Sequence, residues 1–309
     1  MNPDLEKLQP YPFQKLSQLF AAVTPNPDLR AISLSIGEPK HATPPFIKDA
    51  LIQGLDGLAN YPTTAGSDAL RSTMANWIGK RYGIPTLDAK TQVLPVNGSR
   101  EALFSFAQTV IDRSQKSPAV VCPNPFYQIY EGAAFLAGAT PYFLNTLPED
   151  HFKLNFAQLP EEVWQRTQLI YVCTPGNPSG SVMDLDEWKT LFEMSDRYGF
   201  VIASDECYSE IYFGDNKPLG ALQAAQQLGR SDYKNLVMFS SLSKRSNVPG
   251  MRSGFVAGDA HVIAKFALYR TYHGSAMNPA IQAATIAAWN DEAHVVENRR
   301  LYAEKFAQA

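Results

Sequence analysis

Short apolar runs of about five residues recur along the chain from about residue 46, separated by segments with helical spacing. The runs are QVLPV at 92–96, AVVCP at 119–123, QLIYVC at 168–173, FVIAS at 200–204 and LVMFS at 236–240. Apolar strands spaced by helices are typical of a largely parallel sheet that is covered on both faces. The pattern therefore predicts an α/β fold with three layers, α/β/α, around a mostly parallel central sheet.

Local signals mark where several helices begin and end. Asp184 with Glu187 stands just before WKTLFEMSDRYG and predicts a capping box, and Gly199 closes the same helix. Further helices are expected near 279–289 and 292–308, the last of them amphipathic. The helices that separate the strands therefore have defined ends.

Composition places the chain among ordinary globular proteins. Of its 309 residues, 45% are apolar and 18% are charged, which is too apolar for a disordered chain. The formal net charge of −3, without blocks of like charge, argues against nucleic acid or an anionic membrane as a partner. The cysteines Cys122, Cys173 and Cys207 are odd in number and far apart, which favours free thiols in a reducing compartment.

Neither the N-terminus nor the apolar runs indicate a targeting or membrane segment. MNPDLEKLQP carries acids and prolines and has no apolar core, unlike a signal peptide. The longest uncharged run, TYHGSAMNPAIQAATIAAWN, is broken by Gly274, Asn278 and Pro279, so it is a poor membrane span. We therefore expect a cytoplasmic protein.

Residues that can carry chemistry follow the predicted strands, at the sheet edge where ligands bind in such folds. After the first run, NGSREA with Ser99 and Arg100 leads into a helix, whose free N–H groups and dipole suit an anion such as phosphate. After the second run come Phe126, Tyr127 and Tyr130, aromatic residues that could stack on a flat ring. A serine N-cap and core packing are the ordinary alternatives.

The third and fourth runs are followed by polar groups that could bind the same ligand. TPGNPSG at 174–180 contains Asn177, whose amide can donate to a phenolate or carboxylate oxygen. Asp205 ends an apolar strand, where a carboxylate is costly unless a cation or several donors pair with it. Tyr208 lies three residues further on. A strand-to-helix turn, a salt bridge and an Asx turn are the alternatives.

The stretch SSLSKRSNVPGMRSGF at 240–255 follows the fifth run. Lys244, at the end of a buried strand, would have a lowered pKa and could act as a nucleophilic amine, notably as a Schiff base. Arg252 suits a phosphate, and GFVAG after it resumes strand character. A solvated loop lysine is the alternative. Ser241 to Lys244 also matches the S-x-x-K of serine acyl enzymes, although their SDN and KTG elements do not occur here.

Together these groups meet the requirements of pyridoxal 5′-phosphate (PLP), namely a phosphate grip, a stacking ring, a carboxylate for the ring nitrogen and a lysine amine. The chain resembles the class I and II PLP-dependent aminotransferases of fold type I. The resemblance lies in SLSIGEP (33–39), NYPTTAGSDALR (60–71), NGSREAL, NPFYQIY, TPGNPSG, SDECYSEIYF and SSLSKRSNVPGMRSGF. It implies amino transfer between an amino acid and a 2-oxo acid, a homodimer, and no metal.

The resemblance also implies a role for each matching residue. Lys244 would hold the cofactor and act as the base of the proton shift, and Asp205 would pair with the pyridine nitrogen. Asn177 and Tyr208 would bond the ring 3-oxygen, and Tyr127 would stack on the ring. Four residues would hold the phosphate, namely Ser99, Arg100 through its backbone, Ser241 and Arg252.

Two further roles concern the partner subunit and the substrate. Tyr61 would reach the phosphate of the neighbouring subunit, while Gly37 and Asn177 would lie against the substrate. SKRSNVPGMRSG with TYHGSAMNPAIQ (271–282) most resembles the succinyldiaminopimelate aminotransferases of bacterial lysine synthesis, with 2-oxoglutarate and glutamate as the second pair. Aminotransferases of aspartate, alanine or aromatic amino acids share the cofactor motifs and stay open as alternatives.

The resemblance divides the chain into three parts. Residues 1–45, rich in proline and with one helical stretch PFQKLSQLFAAV, would form an N-terminal arm and part of a small domain. Residues 46–285 would form the large PLP-binding domain, and 286–309 the start of a C-terminal small domain. Members of the family usually continue into that domain, which supplies an arginine for the substrate carboxylate. We therefore expect a chain cut short, for which cofactor binding without turnover is an alternative.

Overall fold

A central sheet of seven strands runs through the computed structural model, which describes residues 1–32 and 36–308. The strands are Val93–Val96 (β1), Ala119–Asn124 (β2), Thr140–Asn145 (β3), Thr167–Cys173 (β4), Val201–Asp205 (β5), Leu236–Ser241 (β6) and Gly254–Gly258 (β7). Their spatial order is β1-β7-β6-β5-β4-β2-β3. Residues 33–35, which open the SLSIGEP motif, lie outside the described residues.

Most neighbouring strands are parallel, as the apolar runs predict. Strands β3, β2, β4, β5 and β6 pair in parallel, whereas β7 pairs antiparallel with both β6 and β1. Val96 pairs with Gly254 on β7, and Gly254 pairs with Ser241 on β6. The ends of three strands therefore lie in one row at the same edge of the sheet.

Helices connect the strands and cover both faces of the sheet. They are Pro12–Leu19 (α1), Pro45–Gln53 (α2), Asp68–Tyr82 (α3), Ser99–Val110 (α4), Ile129–Leu136 (α5), Glu161–Trp164 (α6), Leu185–Tyr198 (α7), Ala221–Gln227 (α8), Leu242–Arg245 (α9), Ala260–His273 (α10), Pro279–Asn290 (α11) and Ala293–Gln308 (α12).

Alternate strand residues point into two separate hydrophobic clusters. Leu169 of β4 packs in one cluster with Phe106 of α4, together with residues of α5 and α10. Its neighbour Ile170 packs in the other cluster with Trp188 of α7, together with residues of α3, α8 and α11. Successive side chains of a strand point to opposite faces, so each strand of such a sheet is apolar on both sides. The predicted α/β/α layering is confirmed.

The predicted helix ends are also present. The Asp184 carboxylate accepts from the Glu187 N–H at 2.9 Å, and the Glu187 side chain accepts from the Asp184 N–H at 2.9 Å. Gly199 ends α7 with a φ of +79°, a left-handed conformation that favours glycine. The reciprocal bonds satisfy two N–H groups at the start of the helix, which fixes where α7 begins.

The N-terminal segment contributes no buried side chain over residues 1–32. It contains a short 3₁₀ turn at Pro3–Lys7 and α1, which ends at Leu19, earlier than the predicted stretch at 12–23. The division of the chain at residues 45 and 285 stays a prediction. Within the described ranges, no helix has the length and apolar character that a membrane crossing requires.

Candidate active site

A cavity of about 730 Å³ opens at the carboxyl ends of β2, β4, β5 and β6, and we call it the strand-end cavity. Its lining includes all but one of the site residues predicted from the sequence, namely Gly37, Ser99, Arg100, Tyr127, Asn177, Asp205, Tyr208, Ser241, Lys244 and Arg252. The exception is Tyr61, which is fully exposed and does not line the cavity. Its predicted contact with a neighbouring subunit stays a prediction.

Asp205 places a buried carboxylate at the end of β5, where it is only 6% exposed. Its Oδ2 accepts from the Tyr130 hydroxyl at 2.8 Å, and its Oδ1 accepts from the Cys207 N–H at 3.2 Å. Burial raises the pKa of Asp205, and these bonds oppose the rise. In the described part of the chain no lysine or arginine pairs with it. A cationic group inside the cavity would compensate its charge.

Lys244 lies on α9, the four-residue helix that follows β6. Its amine donates to the Gly37 carbonyl and lies 5.6 Å from the centroid of the Tyr208 ring. Burial lowers the pKa of Lys244, while the negative charge of Glu38 opposes this shift. A lowered pKa leaves more of the amine neutral, and the neutral amine is the nucleophile. Within the described chain no hydrogen bond joins it to Ser241, as an S-x-x-K mechanism would require.

The start of α4 and the Arg252 side chain converge on one point of the cavity. The N-cap of α4 is Gly98, with φ +87° and no side-chain cap, so Ser99 is the first helical residue and not the N-cap. The first N–H groups of a helix have no acceptor within it. A Cβ built on Gly98 would lie 2.4 Å from Arg252 Nη2, so glycine leaves the room that the guanidinium fills. Free N–H groups beside a guanidinium form an anion site.

Three small polar side chains complete this end of the cavity. Cys207 Sγ donates to Ser99 Oγ at 3.0 Å. Ser241 is buried and caps α9 by accepting from the Ser243 N–H at 3.4 Å. Burial raises the pKa of the Cys207 thiol, so it stays protonated at neutral pH. Cys207 was expected only as a free thiol and not as a site residue, because an isolated cysteine carries no spacing signal.

Phenols and an amide form the walls of the cavity. Tyr127 stands perpendicular to Tyr130, with ring centroids 5.9 Å apart. Burial raises the pKa of Tyr127 to about 12 and also raises the pKa of Tyr208, so both hydroxyls are donors at neutral pH. The loop that carries Asn177 is closed by a bond from the Gly176 N–H to the Ser181 carbonyl at 2.8 Å. The walls therefore offer aromatic faces and neutral hydrogen-bond donors.

The N-terminal segment supplies a part of the lining that the sequence did not predict. Tyr11, Pro12 and Phe13, at the start of α1, line the strand-end cavity. The Arg100 guanidinium lies 5.2 Å from the centroid of the Tyr11 ring. The predicted N-terminal arm thus reaches the site. In its sequence, only the aromatic pair in PYPF indicates this contact.

The donor set fits PLP. One cavity holds a half-buried amine, a buried carboxylate without a cation, and an anion site whose shape depends on a glycine. These groups match the aldehyde, the ring nitrogen and the phosphate of that cofactor. Neutral phenols and aromatic faces between them suit the ring.

Comparisons with known proteins agree with this match. The family model described as aminotransferase class I and II matches residues 30–308. An LL-diaminopimelate aminotransferase of Dehalococcoides mccartyi is 31% identical over 300 residues, which are 96% of this chain and 74% of that protein. Another, of Nitratidesulfovibrio vulgaris, is 33% identical over 290 residues, or 93% of this chain and 72% of that protein.

A solved aminotransferase structure also matches this chain, at a higher sequence identity. The crystal structure of an aminotransferase from Neisseria meningitidis matches with a TM-score of 0.96 and 58% identity. The match covers 99% of this chain and 78% of that one.

Proposed function

The chain belongs to the class I and II aminotransferases, and on this basis we propose a role for each side chain of the strand-end cavity. The protein is a transaminase that depends on PLP. The observation that carries the proposed roles is that Lys244, Asp205 and the Gly98–Arg252 anion site face one cavity. When bound there, PLP supplies an aldehyde that exchanges amino groups and a ring that accepts electrons.

Asp205 would hold one proton of the reaction in place, and Lys244 would transfer another. Asp205 would hold the proton on the ring nitrogen, because a buried carboxylate without a cation is stabilised by an N–H⁺ group. Lys244 Nζ would take the proton from the substrate's α-carbon, since burial keeps part of the amine neutral. Tyr208 and Asn177 would donate to the ring 3-oxygen, and Tyr127 would contact the ring face.

The anion site would orient the cofactor through its phosphate. The N–H groups of Ser99 and Arg100 and the guanidinium of Arg252 would bind the phosphate oxygens, with the hydroxyls of Ser99 and Ser241 as further donors. A homodimer, in which Tyr61 reaches the phosphate of the neighbouring subunit, belongs to the same proposal. The full exposure of Tyr61 in a single chain is consistent with it.

For the amino donor we propose a diaminopimelate-type amino acid of lysine synthesis. Relatives named LL-diaminopimelate aminotransferase support this class. The sequence motifs favour N-succinyl-LL-2,6-diaminopimelate, with 2-oxoglutarate and glutamate as the second pair, so free and succinylated forms are the two candidates. Gly37, whose carbonyl accepts from Lys244, would lie against the substrate together with Asn177.

Borohydride reduction followed by mass spectrometry tests the cofactor roles. The PLP-loaded protein is expected to show a visible absorbance band that borohydride removes, with the added mass on the peptide that contains Lys244. Lys244→Ala should lose both signals, whereas Lys189→Ala, at an exposed position of α7, should keep them. A band that persists in Lys244→Ala, or none in the wild type, would contradict the assignment.

A substrate screen tests the proposed donor. The PLP-loaded protein is mixed with LL-diaminopimelate, its N-succinyl form, aspartate, alanine or an aromatic amino acid, and conversion to pyridoxamine phosphate is measured. We expect conversion by one or both diaminopimelate forms, reversed by 2-oxoglutarate. Faster conversion by aspartate, alanine or an aromatic donor would replace the proposed donor, and no conversion by any of them would contradict amino transfer.

A further inference from the structure

Asn298 of α12 makes hydrogen bonds to the peptide backbone of Lys244. The side chain is only 2% exposed. Its Nδ2 donates to the Lys244 carbonyl at 3.2 Å and to the Arg245 carbonyl at 3.5 Å. Its Oδ1 accepts from Asn247 Nδ2 at 3.0 Å and from His41 Nδ1 at 2.7 Å. An asparagine side chain has two donors and two acceptor positions, so all four are used.

The carbonyls that Asn298 binds are ones that α9 leaves free. The last carbonyls of any helix lack partners within it, and in a four-residue helix this includes those of Lys244 and Arg245. Within α9, the Leu242 carbonyl accepts from the Ser246 N–H at 2.9 Å. Asn298 therefore completes the hydrogen bonding of the short helix that carries Lys244.

The residues that follow Lys244 are fixed by the same part of the fold. The Arg245 guanidinium lies against the rings of Trp77 and Trp289, 5.5 and 4.7 Å from their centroids, and donates to the Ala288 carbonyl at 2.8 Å. Ser246 Oγ lies 2.8 Å from Nε2 of His294, which precedes Asn298 by one helical turn. These contacts hold the neighbours of Lys244, but only Asn298 reaches the Lys244 peptide from α12 in the described chain.

We propose that Asn298 is a positioning residue for Lys244, which sets the direction of its side chain into the strand-end cavity by fixing the peptide groups of α9. The inference rests on the proposed role of Lys244. It adds that the geometry of the site lysine depends on α12, a helix outside the cavity lining.

The test compares Asn298→Asp with Val295→Ala. Asp has the shape of Asn but no amide donor, and it places an anion against two carbonyls. Val295, one turn earlier on α12, is fully buried and makes none of these bonds, so its truncation lowers stability without removing a hydrogen bond to α9. The readouts are the PLP dissociation constant, the pH midpoint of the visible band and the melting temperature without PLP.

Asn298→Asp is expected to weaken PLP binding at least tenfold and to move the pH midpoint of the band. Val295→Ala should lower the melting temperature but leave the other two readouts unchanged. His41→Ala removes one of the two groups that donate to Asn298 Oδ1, so it is a milder variant that can be used if Asn298→Asp does not fold. We expect it to weaken PLP binding two- to fivefold. Asn76→Asp, at an exposed position of α3, controls for the added charge.

Equal PLP affinity and an equal midpoint in Asn298→Asp, His41→Ala and Val295→Ala would overturn the proposal. The wild type and Lys244→Ala are measured alongside. If the wild type lacks the band, or Lys244→Ala keeps it, the proposed function fails. If both behave as expected and the Asn298 and His41 variants match the wild type, only the positioning role fails.

Discussion

The hydroxyl of Tyr130 lies 2.8 Å from Oδ2 of Asp205 and donates to it. Tyr130 is fully buried, and its ring stacks on Tyr171 with 4.6 Å between the centroids. Among the described residues the partners of the carboxylate are thus neutral donors, which orient it without cancelling its charge. That charge remains available to a protonated ring nitrogen, the partner that we propose for it.

Tyr130→Phe is expected to weaken PLP binding about tenfold, because a hydrogen bond to a charged group is worth about 1.5 kcal/mol or more. The measurement is the PLP dissociation constant by absorbance titration. Tyr171→Phe is the matched control, since its hydroxyl donates to the Leu103 carbonyl at 2.7 Å and touches neither Asp205 nor the cavity. Equal weakening in both variants would mean that the loss reflects packing and not the bond.

Asp205→Asn should stabilise the protein prepared without PLP, and more so as the pH rises. The pKa of Asp205 is raised in the folded state, so between the ordinary and the raised value the folded chain binds more protons than the unfolded one. The contribution of Asp205 to stability is therefore full below the ordinary pKa of 3.8 and is lost as the pH rises through the raised pKa.

Thermal unfolding of wild type and Asp205→Asn from pH 4 to pH 8 measures this effect. We expect similar melting temperatures at pH 4 and a higher one for the variant at pH 8, by about 2–4 °C for each kcal/mol gained. Added PLP should reverse the order, because a ligand stabilises the form that binds it. A gap that does not change with pH would contradict the assigned titration.

Gly98→Ala should weaken PLP binding at least tenfold. The new methyl group would lie 2.4 Å from Arg252 Nη2 and force the guanidinium out of its place at the start of α4. Gly83→Ala is the control, because Gly83 also has a positive φ, +63°, but nothing within 4 Å of an added Cβ. Both variants should lose stability from backbone strain, about 1 kcal/mol at the left-handed Gly83 and more at Gly98, whose ψ of 151° lies in a region nearly restricted to glycine. Only Gly98→Ala should lose affinity for PLP.

Glu38→Gln should move the reactivity of Lys244 to lower pH. The negative charge of Glu38 raises the pKa of Lys244, so its removal lets the effect of burial lower that pKa further. The rate of trace labelling of Lys244 by acetic anhydride, followed against pH in the protein without PLP, measures the shift. Glu149→Gln changes another exposed carboxylate, far from Lys244 in the sequence, and should leave the profile in place. A shift to higher pH would contradict the proposed charge effect.

The strand pattern predicted most of the sheet because buried parallel strands are apolar on both faces. Edge strand β3 was not predicted, because TPYFLN contains a proline and buries only Leu144 completely. The reversed direction of β7 could not be predicted either, because an apolar run has no orientation. The sheet order follows from packing between distant segments.

The residues of the site were predictable where they follow a strand. Asp205 and Lys244 end up in one cavity because the ends of β5 and β6 are neighbours. Contacts between distant segments were not predicted. They include the Tyr130–Asp205 bond, the aromatic residues of α1 in the cavity lining, and the bonds of Asn298 to α9. Each depends on side-chain positions that no local spacing encodes.

The pairing of β1 with β7 determines how precisely the anion site can be built. Val96 pairs with Gly254; two residues on from Val96 comes Gly98, and two residues back from Gly254 comes Arg252. Arg252 and Gly98 therefore stand opposite each other at the position where the β1–β7 pairing would continue beyond the strands. The guanidinium is also held from the loop side, since it donates to the Pro249 carbonyl at 2.9 Å. One inserted residue between Arg252 and Gly254 would carry the guanidinium past its glycine. For protein engineering, the spacing between Arg252 and the start of β7 therefore has to be kept.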